Sequence, residues 1–238
     1  MPARPADRSL RIGGLTTLSA VDFPGELSAV VFCQGCPWRC AYCHNPRLLD
    51  TEADAPIAWN DVVAFLRKRR GLLDAVVFSG GEPLAQRALP TAMREVRALG
   101  FRVGLHTGGA YPARLADVLP LVDWVGFDVK ANFGDYGRLT RAPRSGERAR
   151  ESLRLLLASG VGHELRTTVH PGWHTPRGVE GLAQTVASLG VKRYVLQEFR
   201  SGTCLEPAWA RNVPQSFLTP GFCARIAARF EHLEVRRA

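Results

Sequence analysis

The sequence lacks the features that mark membrane, repeat and multidomain proteins. No uncharged run reaches the roughly 18 residues that a membrane-spanning helix needs, and the first residues, MPARPADRSLRIGG, have no apolar block of the kind found in signal peptides. Internal repeats, low-complexity tracts and an interdomain linker are also missing. We therefore expect a single-domain protein of the cytoplasm with no membrane partner.

Lysine is scarce, although the chain is basic. The 31 Lys and Arg residues exceed the 22 Asp and Glu residues by nine, but only Lys68, Lys130 and Lys192 are lysines. The arginines are scattered, and the clusters at 67–70 and 138–154 fall on segments with a helical pattern, where charged residues usually face solvent. The net charge alone would permit nucleic-acid binding, but this distribution disfavours it.

Length and composition predict an ordinary globular protein. The 238 residues are 46% hydrophobic and 22% charged, enough for one substantial core. Four of the six cysteines lie within eleven residues. In a cytosolic protein such crowding points to metal or redox chemistry rather than to disulfides.

Short apolar runs alternate with amphipathic segments, several of which end at a glycine. The apolar runs are typical of buried parallel strands, and the glycines are typical of helix ends. We predict strands at 27–33, 75–78, 102–106, 124–128, 165–169 and 194–197. We predict helices at 61–70 with Asn60 as N-cap, 93–99, 147–159, 178–189 and about 220–232, and a shorter one after Pro112.

Six strand–helix units predict an α/β fold in which a parallel sheet curls into a partial (β/α)6 TIM-like barrel, open on one side. The single domain 1–238 would then have an N-terminal extension at about 1–26, a core at about 27–200 and a C-terminal helical segment at about 201–238.

Polar and reactive side chains follow each predicted strand. In βα barrels the loops at the carboxyl ends of the strands form the active site, so these residues are expected on one face. In strand order they are Cys36, Cys40 and Cys43; Ser79 to Glu82; His106 and Thr107; Asp128 and Lys130; His170 and His174; and Gln197 and Glu198.

The cysteine loop reads CPWRCAYC, with spacing Cys36-x3-Cys40-x2-Cys43. Three thiolates from one loop can hold three irons of a 4Fe-4S cluster and leave the fourth iron open for an external ligand. A structural zinc site is the alternative, because Cys33 also pairs with Cys36 at a short spacing. Zinc ribbons usually place a longer spacer between their two pairs than the three residues found here.

The loop resembles the signature of the radical S-adenosylmethionine (SAM) enzymes, C-x3-C-x-aromatic-C, with Tyr42 as the aromatic residue. The resemblance implies one 4Fe-4S cluster bound by Cys36, Cys40 and Cys43. It also implies SAM chelated to the open iron and cleaved, after transfer of one electron, to methionine and a 5'-deoxyadenosyl radical. The resemblance thus implies that Cys36, Cys40 and Cys43 are both the metal ligands and the catalytic residues.

Further motifs extend the resemblance over most of the chain. Ser79-Gly80-Gly81-Glu82-Pro83 is similar to an element that binds the methionine amino group of SAM, and glycines there would allow close approach of the backbone. Asp128-Val129-Lys130 is similar to an Asp-x-Lys element, whose lysine would bind the carboxylate or ribose region of SAM and whose aspartate would help hold a cation. The cofactor-binding residues that the resemblance implies are Tyr42, His44, Ser79, Gly80, Gly81, Glu82, Thr107, Asp128 and Lys130.

One position departs from the pattern. Where related enzymes commonly have Asp-Thr beside the cation, this chain has His106-Thr107. Because a neutral imidazole is a poor ligand for a hard cation, we predict an altered or missing cation site. The resemblance therefore implies a cofactor-binding role for Thr107 and not for His106.

The nearest resemblance is to activating enzymes of glycyl-radical enzymes. His44-Asn45-Pro46 follows the last loop cysteine, no cysteine lies between Cys43 and Ser79, and the opening GLTTLSAVDFPG is similar to activases of anaerobic ribonucleoside-triphosphate reductase. The resemblance implies a single-cluster enzyme that forms a glycyl radical on that reductase, with flavodoxin or ferredoxin as a low-potential electron donor.

Other interpretations stay open. The partner could be pyruvate formate-lyase or another glycyl-radical enzyme, or the substrate could be a small molecule, as in 7-carboxy-7-deazaguanine synthase. A non-catalytic zinc module that binds nucleic acid through its arginines is a third class. We expect Cys33 to be a buried neighbour rather than a ligand, Cys204 and Cys223 to be ordinary thiols, and His170 and His174 to belong to a structural loop.

Overall fold

A computed structural model describes residues 9–202, 204–211 and 213–238. Its centre is one eight-stranded sheet in which the strands lie side by side in chain order. The strands are β1 (Ile12–Ser19), β2 (Ser28–Cys33), β3 (Ala75–Gly80), β4 (Arg102–Thr107), β5 (Trp124–Asp128), β6 (Gly162–Val169), β7 (Arg193–Glu198) and β8 (His232–Arg236).

The sheet is parallel except at its first strand. β1 pairs antiparallel with β2, and every later neighbouring pair from β2 to β8 is parallel. β1 and β8 are the two end strands. The curved sheet is therefore a partial barrel rather than a closed one.

Eight helices accompany the strands in the described ranges, and none of them is both long and apolar enough to cross a membrane. They are α1 (Trp59–Arg67), α2 (Leu89–Ala98), α3 (Pro112–Val118), α4 (Tyr136–Thr140), α5 (Ser145–Ser159), α6 (Pro176–Ser188), α7 (Pro207–Arg211) and α8 (Pro220–Ala227). Short 3-10 turns at Pro46–Leu48, Pro83–Ala85 and Leu119–Leu121 complete the connections.

The six predicted strands are confirmed as β2 to β7, and two further strands were missed. β1 was missed because it contains Gly13, Gly14 and a pair of threonines. β8 was missed because its sequence, HLEVR, mixes polar and apolar residues. The predicted last helix is too long, because α8 ends at Ala227 and the C-terminal segment then forms a strand. Asn60 is not an N-cap, since α1 begins two residues earlier than predicted, at Trp59, and Ala58 is its N-cap.

Apolar packing covers both faces of part of the sheet. The main core fills the space between the outer face and the helices. A second cluster lies on the inner face and comprises Phe23, Val30, Ala75, Val77 and Trp124. This inner cluster fills the barrel on the side of β2, β3 and β5, whereas β6 to β8 carry polar residues inside.

Candidate active site

The cysteine loop follows β2 and is held in place by main-chain hydrogen bonds. The Cys36 amide donates to the Leu49 carbonyl at 3.1 Å, and the Arg39 amide donates to the Thr140 carbonyl at 2.8 Å. On the far side, the Leu205 amide donates to the Cys43 carbonyl at 3.1 Å. The segment just after the loop and two segments distant in sequence thus fix the backbone from which the thiols project.

The loop thiols are protonated when no metal is bound. Burial raises the pKa of Cys36 to about 12, and the nearby Glu82 carboxylate raises it further, although the Trp38 amide donates a hydrogen bond to this thiol and opposes the shift. Burial also raises the pKa values of Cys40 and Cys43. Since metal ligation requires thiolates, binding of a metal group here would release protons.

The two glycines after β3 lie directly against the cysteine loop. Gly80 has φ +113°, and a Cβ there would stand 2.5 Å from the Cys33 nitrogen. A Cβ on Gly81 would stand 2.4 Å from the Gly35 carbonyl oxygen and 2.7 Å from that of Leu48. These glycines therefore permit close packing of two loops.

Glu82 joins three segments within the interior. It is only 2% exposed, and its carboxylate accepts hydrogen bonds from the Thr107 hydroxyl at 2.7 Å and from the Leu84 and Gly108 amides at 3.1 Å each. Burial raises the pKa of this carboxyl group, and those three donors oppose the shift. Thr107, in turn, is held by Glu82 and by the Gly109 amide.

Asp128 and Lys130 face the same space from the end of β5. The Lys130 Nζ lies 3.7 Å from an Asp128 carboxylate oxygen, and the Arg166 guanidinium donates to the other oxygen at 2.9 Å. Burial opposes the charge on Asp128, but Arg166 and Lys130 outweigh it and lower the pKa of this carboxyl group. Burial likewise opposes the charge on Lys130, and Asp128 outweighs it, so its pKa is raised.

His106 is buried beside this pair and is neutral. One ring nitrogen lies 2.8 Å from the Asp22 carbonyl oxygen and 3.3 Å from Arg166, and the other lies 3.4 Å from the Ser79 hydroxyl. Burial lowers the pKa of His106 to about 3, and the charge of Arg166 adds to the shift. The Arg166 guanidinium is thus the positive group beside Asp128 on this side.

Aromatic rings pack behind the cysteine loop. Tyr42 is buried, donates to the Lys130 carbonyl at 3.3 Å and stacks on His170 with ring centroids 5.8 Å apart. His44 stacks on Phe199 at 4.8 Å, and one of its ring nitrogens lies 3.1 Å from the Arg200 carbonyl oxygen. These contacts connect the cysteine loop to the segments that follow β6 and β7.

His170 and His174 use their ring nitrogens to hold a loop together. The His170 Nδ1 accepts from the Gly172 amide and its Nε2 lies 2.8 Å from the Trp209 carbonyl oxygen. The His174 Nδ1 accepts from the His170 amide and its Nε2 lies 2.9 Å from the Lys130 carbonyl oxygen. Both rings are thus occupied by backbone groups, as expected for a structural loop.

The twelve residues that the sequence assigned to the cluster or the cofactor all line one cavity of about 180 Å³, whereas His170, His174, Gln197 and Glu198 do not line it. The fold brings together Cys36, Cys40, Tyr42, Cys43, His44, Ser79, Gly80, Gly81, Glu82, Thr107, Asp128 and Lys130. Trp38, His106, Gly108, Arg166 and Thr168 also line it and were not singled out as ligand-binding residues. Arg166 and Thr168 alternate on β6 and so face the same side of the sheet, but the sequence alone does not show that this side lines the cavity.

The donor set suits an iron–sulfur cluster with an organic ligand. Three thiols line a single cavity beside a lysine ammonium and a buried carboxylate, so soft and charged donors stand together. The indole Nε1 of Trp38, in the same cavity wall, is buried without a hydrogen-bond partner in the described structure, which is typical of a site that a ligand completes. Within the described residues, no three His, Cys, Asp or Glu side chains are arranged around a single-ion site.

The remaining cysteines stand apart from this set. Cys33 is fully buried at the end of β2 and is not among the residues that line the cavity. Cys204 is buried and donates its thiol hydrogen to the Glu206 carbonyl at 2.9 Å, and Cys223 lies on α8. The geometry therefore separates the three loop cysteines from the other three.

Comparison with known proteins agrees with the site. Residues 30–177 match the model of the radical SAM superfamily. A protein named "Putative glycyl-radical enzyme activating enzyme" from Methanocaldococcus jannaschii is 31% identical over 198 residues, covering 79% of each chain. The pyruvate formate-lyase 1-activating enzyme of Escherichia coli K12 is 29% identical over 171 residues, covering 68% of this chain and 69% of that protein.

The fold has counterparts among solved structures. The crystal structure of QueE from Escherichia coli superposes with a TM-score of 0.56 over 96% of this chain and 94% of that one, at 18% identity. The partial barrel, the cysteine loop and the family match together identify the chain as an enzyme of radical SAM chemistry that belongs to the radical SAM superfamily.

Proposed function

We propose that the protein activates a glycyl-radical enzyme, and that its partner is anaerobic ribonucleoside-triphosphate reductase. The observation that carries the activase assignment is the cofactor cavity, whose wall is shared with a wider groove lined by the loop at 20–24 and by residues of β4 to β8. A segment of a large partner can reach the cofactor from that side. The sequence likeness to two activating enzymes supports the same assignment.

The choice of the reductase rests on sequence. The segment before the cysteine loop, GLTTLSAVDFPG, is similar to activases of that reductase, and it forms β1 and the following loop in this structure. This loop, at residues 20–24, lines the groove. Pyruvate formate-lyase and other glycyl-radical enzymes are the alternative partners.

When bound, the cluster and SAM would supply a 5'-deoxyadenosyl radical able to take a hydrogen atom from the Cα of a partner glycine, so that 5'-deoxyadenosine and a glycyl radical would result. Cys36, Cys40 and Cys43 would hold three irons. Lys130 would bind the SAM carboxylate through its ammonium group, which Asp128 keeps charged. Glu82, already fixed by three donors, would face the ammonium group of SAM.

A single cluster is proposed. No cysteine lies between Cys43 and Ser79, and that stretch forms a 3-10 turn and α1 rather than a further metal-binding insertion. The electron for each SAM cleavage would come from outside the protein, from a low-potential donor such as flavodoxin or ferredoxin.

The proposal is tested with anaerobically reconstituted protein, SAM, dithionite and recombinant anaerobic ribonucleoside-triphosphate reductase. We expect a glycyl-radical doublet in the EPR spectrum of the reductase and 5'-deoxyadenosine in equal amount. A reductase with its radical glycine replaced by alanine is the control and should give no doublet. Pyruvate formate-lyase in the same assay tests the choice of partner.

Two results would overturn the proposal in different ways. Cleavage of SAM without any doublet on either partner would point to a small-molecule substrate such as that of 7-carboxy-7-deazaguanine synthase. Zinc in the purified protein, with no cluster after reconstitution and no SAM cleavage, would point to the non-catalytic module.

A further inference from the structure

Among the residues that the structure describes, one buried polar side-chain atom has no hydrogen-bond partner, and it belongs to the cysteine loop. It is the indole nitrogen Nε1 of Trp38. Trp38 is only 2% exposed, and it lines the cofactor cavity. Because buried N–H groups in folded proteins are nearly always bonded, an unpaired one at a ligand site calls for an acceptor that the ligand supplies.

Two tryptophans outside the cysteine loop show the usual pairing of an indole. Trp59 of α1 is also buried, and its N–H donates to the Glu95 carboxylate. The Trp209 N–H donates to the Glu206 carboxylate at 3.0 Å. The fold therefore supplies acceptors for indole groups elsewhere, and leaves one open at a position between two of the loop cysteines.

Packing holds the Trp38 ring in place. A Cβ on Gly108, which follows β4, would stand 2.4 Å from the ring atom Cζ3. On another side the ring meets the buried Tyr136 of α4 edge to face, with ring centroids 5.9 Å apart. The ring therefore cannot turn toward another protein acceptor without displacing these neighbours.

The same contacts show which end of the indole carries the free N–H. Cζ3 is the ring atom farthest from Nε1, and it is Cζ3 that lies against Gly108. The Lys130 side chain is on that side too, with its Cε 3.4 Å from the position of a Gly108 Cβ. The N–H is thus at the opposite end of the indole from Gly108 and the Lys130 chain.

The place of Trp38 in the chain indicates a sulfur acceptor. Trp38 lies between Cys36 and Cys40, and its main-chain N–H already donates to the Cys36 thiol. A 4Fe-4S cluster held by this loop would offer thiolate and sulfide sulfurs as acceptors. Hydrogen bonds to these sulfurs are among the features that set the reduction potential of such a cluster.

We infer that the Trp38 indole N–H donates a hydrogen bond to a sulfur of the cluster, and that this bond raises the reduction potential of the cluster. The reduced cluster carries one more negative charge than the oxidised one, so a donor at sulfur stabilises it more. Trp38 thereby eases transfer of the electron from the external donor. The inference rests on the cluster of the proposed function, but not on the choice of partner.

The first test is Trp38→Phe, which keeps an aromatic ring and removes the N–H. Trp59→Phe is the matched control, because it removes an indole N–H that bonds to Glu95 outside the site. Loss of one hydrogen bond corresponds to about fivefold in an equilibrium constant, and hence to about 40 mV for a one-electron couple. We expect Trp38→Phe to lower the reduction potential by this amount in an EPR-monitored redox titration without SAM, and Trp59→Phe to leave it unchanged.

A second variant separates the lost hydrogen bond from the lost ring volume. The amino acid 3-benzothienylalanine has the shape of tryptophan, with sulfur in place of the N–H group. Incorporated at position 38, it should lower the potential as Trp38→Phe does.

The hydrogen bond can also be observed directly in the wild type. With nitrogen-15 in the indole rings, ENDOR spectra of the reduced cluster should show a nitrogen-15 coupling. The coupling should disappear in Trp38→Phe and remain in Trp59→Phe.

The outcomes separate the inference from the proposed function. If reconstitution gives no cluster, the proposed function fails and the inference fails with it. If a cluster forms but both variants at position 38 keep the wild-type potential, change only the affinity for SAM, or the wild type shows no nitrogen-15 coupling, the inference alone is overturned. A lowered potential in both variants, with no glycyl radical on any partner of the wild type, would overturn the activase assignment and leave the inference standing.

Discussion

The loop side and the wall side of the barrel are built from different interactions. On the loop side, after β2 and β3, main-chain hydrogen bonds and two close-packed glycines hold the three thiols. On the wall side, β6 to β8 carry paired charges inside the barrel. The apolar cluster on the inner face of β2, β3 and β5 fills one side of the barrel interior. The groove lies on the other side, along the charged wall.

The two sides of the barrel therefore suit different roles. A rigid backbone frame suits a metal group whose ligands must stay at fixed distances, because each thiol position is set by the main chain around it. The ion pairs on the wall side bring opposite charges together inside the barrel.

The largest expected effect is loss of the cluster. Alanine at Cys36, Cys40 or Cys43 removes one of three iron ligands. We expect each variant to abolish SAM cleavage and to lose the iron content of about four per chain that anaerobic reconstitution of the wild type should give. Cys33→Ala is the matched control, and a loss of iron in that variant would mean that the fully buried thiol is a ligand.

The next largest effect is expected from Gly81→Ala on the loop side, which leaves the three cysteine ligands unchanged. The Cβ in Gly81→Ala would meet the Gly35 and Leu48 carbonyl oxygens at 2.4 and 2.7 Å. Overpacking against the backbone should lower the free energy of unfolding by about 3 kcal/mol and reduce cluster incorporation. Urea denaturation and iron analysis measure both. Gly14→Ala, whose Cβ would lie 3.6 Å from Phe32, should leave both unchanged.

On the wall side, Arg236→Met should leave the buried Glu164 without its partner. Leaving a buried charge unpaired costs about 3 to 5 kcal/mol. Since Arg236 is partly exposed, we expect the free energy of unfolding, measured by urea denaturation, to fall by about 2 kcal/mol. Arg237→Met, which breaks a more exposed pair with Glu198, should cost less than about 1 kcal/mol. Equal losses in both variants would remove the distinction between the buried wall and the surface.

The smallest effect is a pH dependence of folding stability caused by His106, which lies between the loop side and the wall side. Because its pKa is lowered to about 3 in the folded protein, the unfolded chain binds this proton more readily below pH 6.5, and folding stability falls as pH falls. Between pH 7.5 and 5.5 the wild type should lose about 1.4 kcal/mol relative to His106→Gln. If the free energy of unfolding changed equally in the wild type and in His106→Gln between these two pH values, that would contradict a neutral buried imidazole.

Much of the fold could be predicted from the sequence because parallel strands buried on both faces are continuous apolar runs. That signal was present in β2 to β7 and weak in the two end strands. β1 contains Gly13 and Gly14, and β8 alternates polar and apolar residues with only partial burial. The end of α8 was also misplaced, because nothing in the local sequence marks the change from helix to strand after Ala227.

The candidate site was predictable where a motif is local. The spacing of Cys36, Cys40 and Cys43 and the Gly80-Gly81-Glu82 run can be read from neighbouring residues, and all of them line one cavity. Arg166 could not be assigned in this way, because its role depends on pairing with Asp128 of the adjacent strand. Glu164 and Arg236 are further apart still and meet only across β7.

The chemistry of this protein is encoded locally, since three thiols at a fixed short spacing in one loop restrict the metal group that they can hold. The shape of the place where that chemistry meets a substrate depends on the folded sheet. β1 and β8 lie at opposite ends of the sheet, so the barrel stays open between them. Inside it, Glu164 and Arg236, which are 72 positions apart, form an ion pair. Such contacts depend on strand order and curvature, which short-range patterns in the chain do not encode.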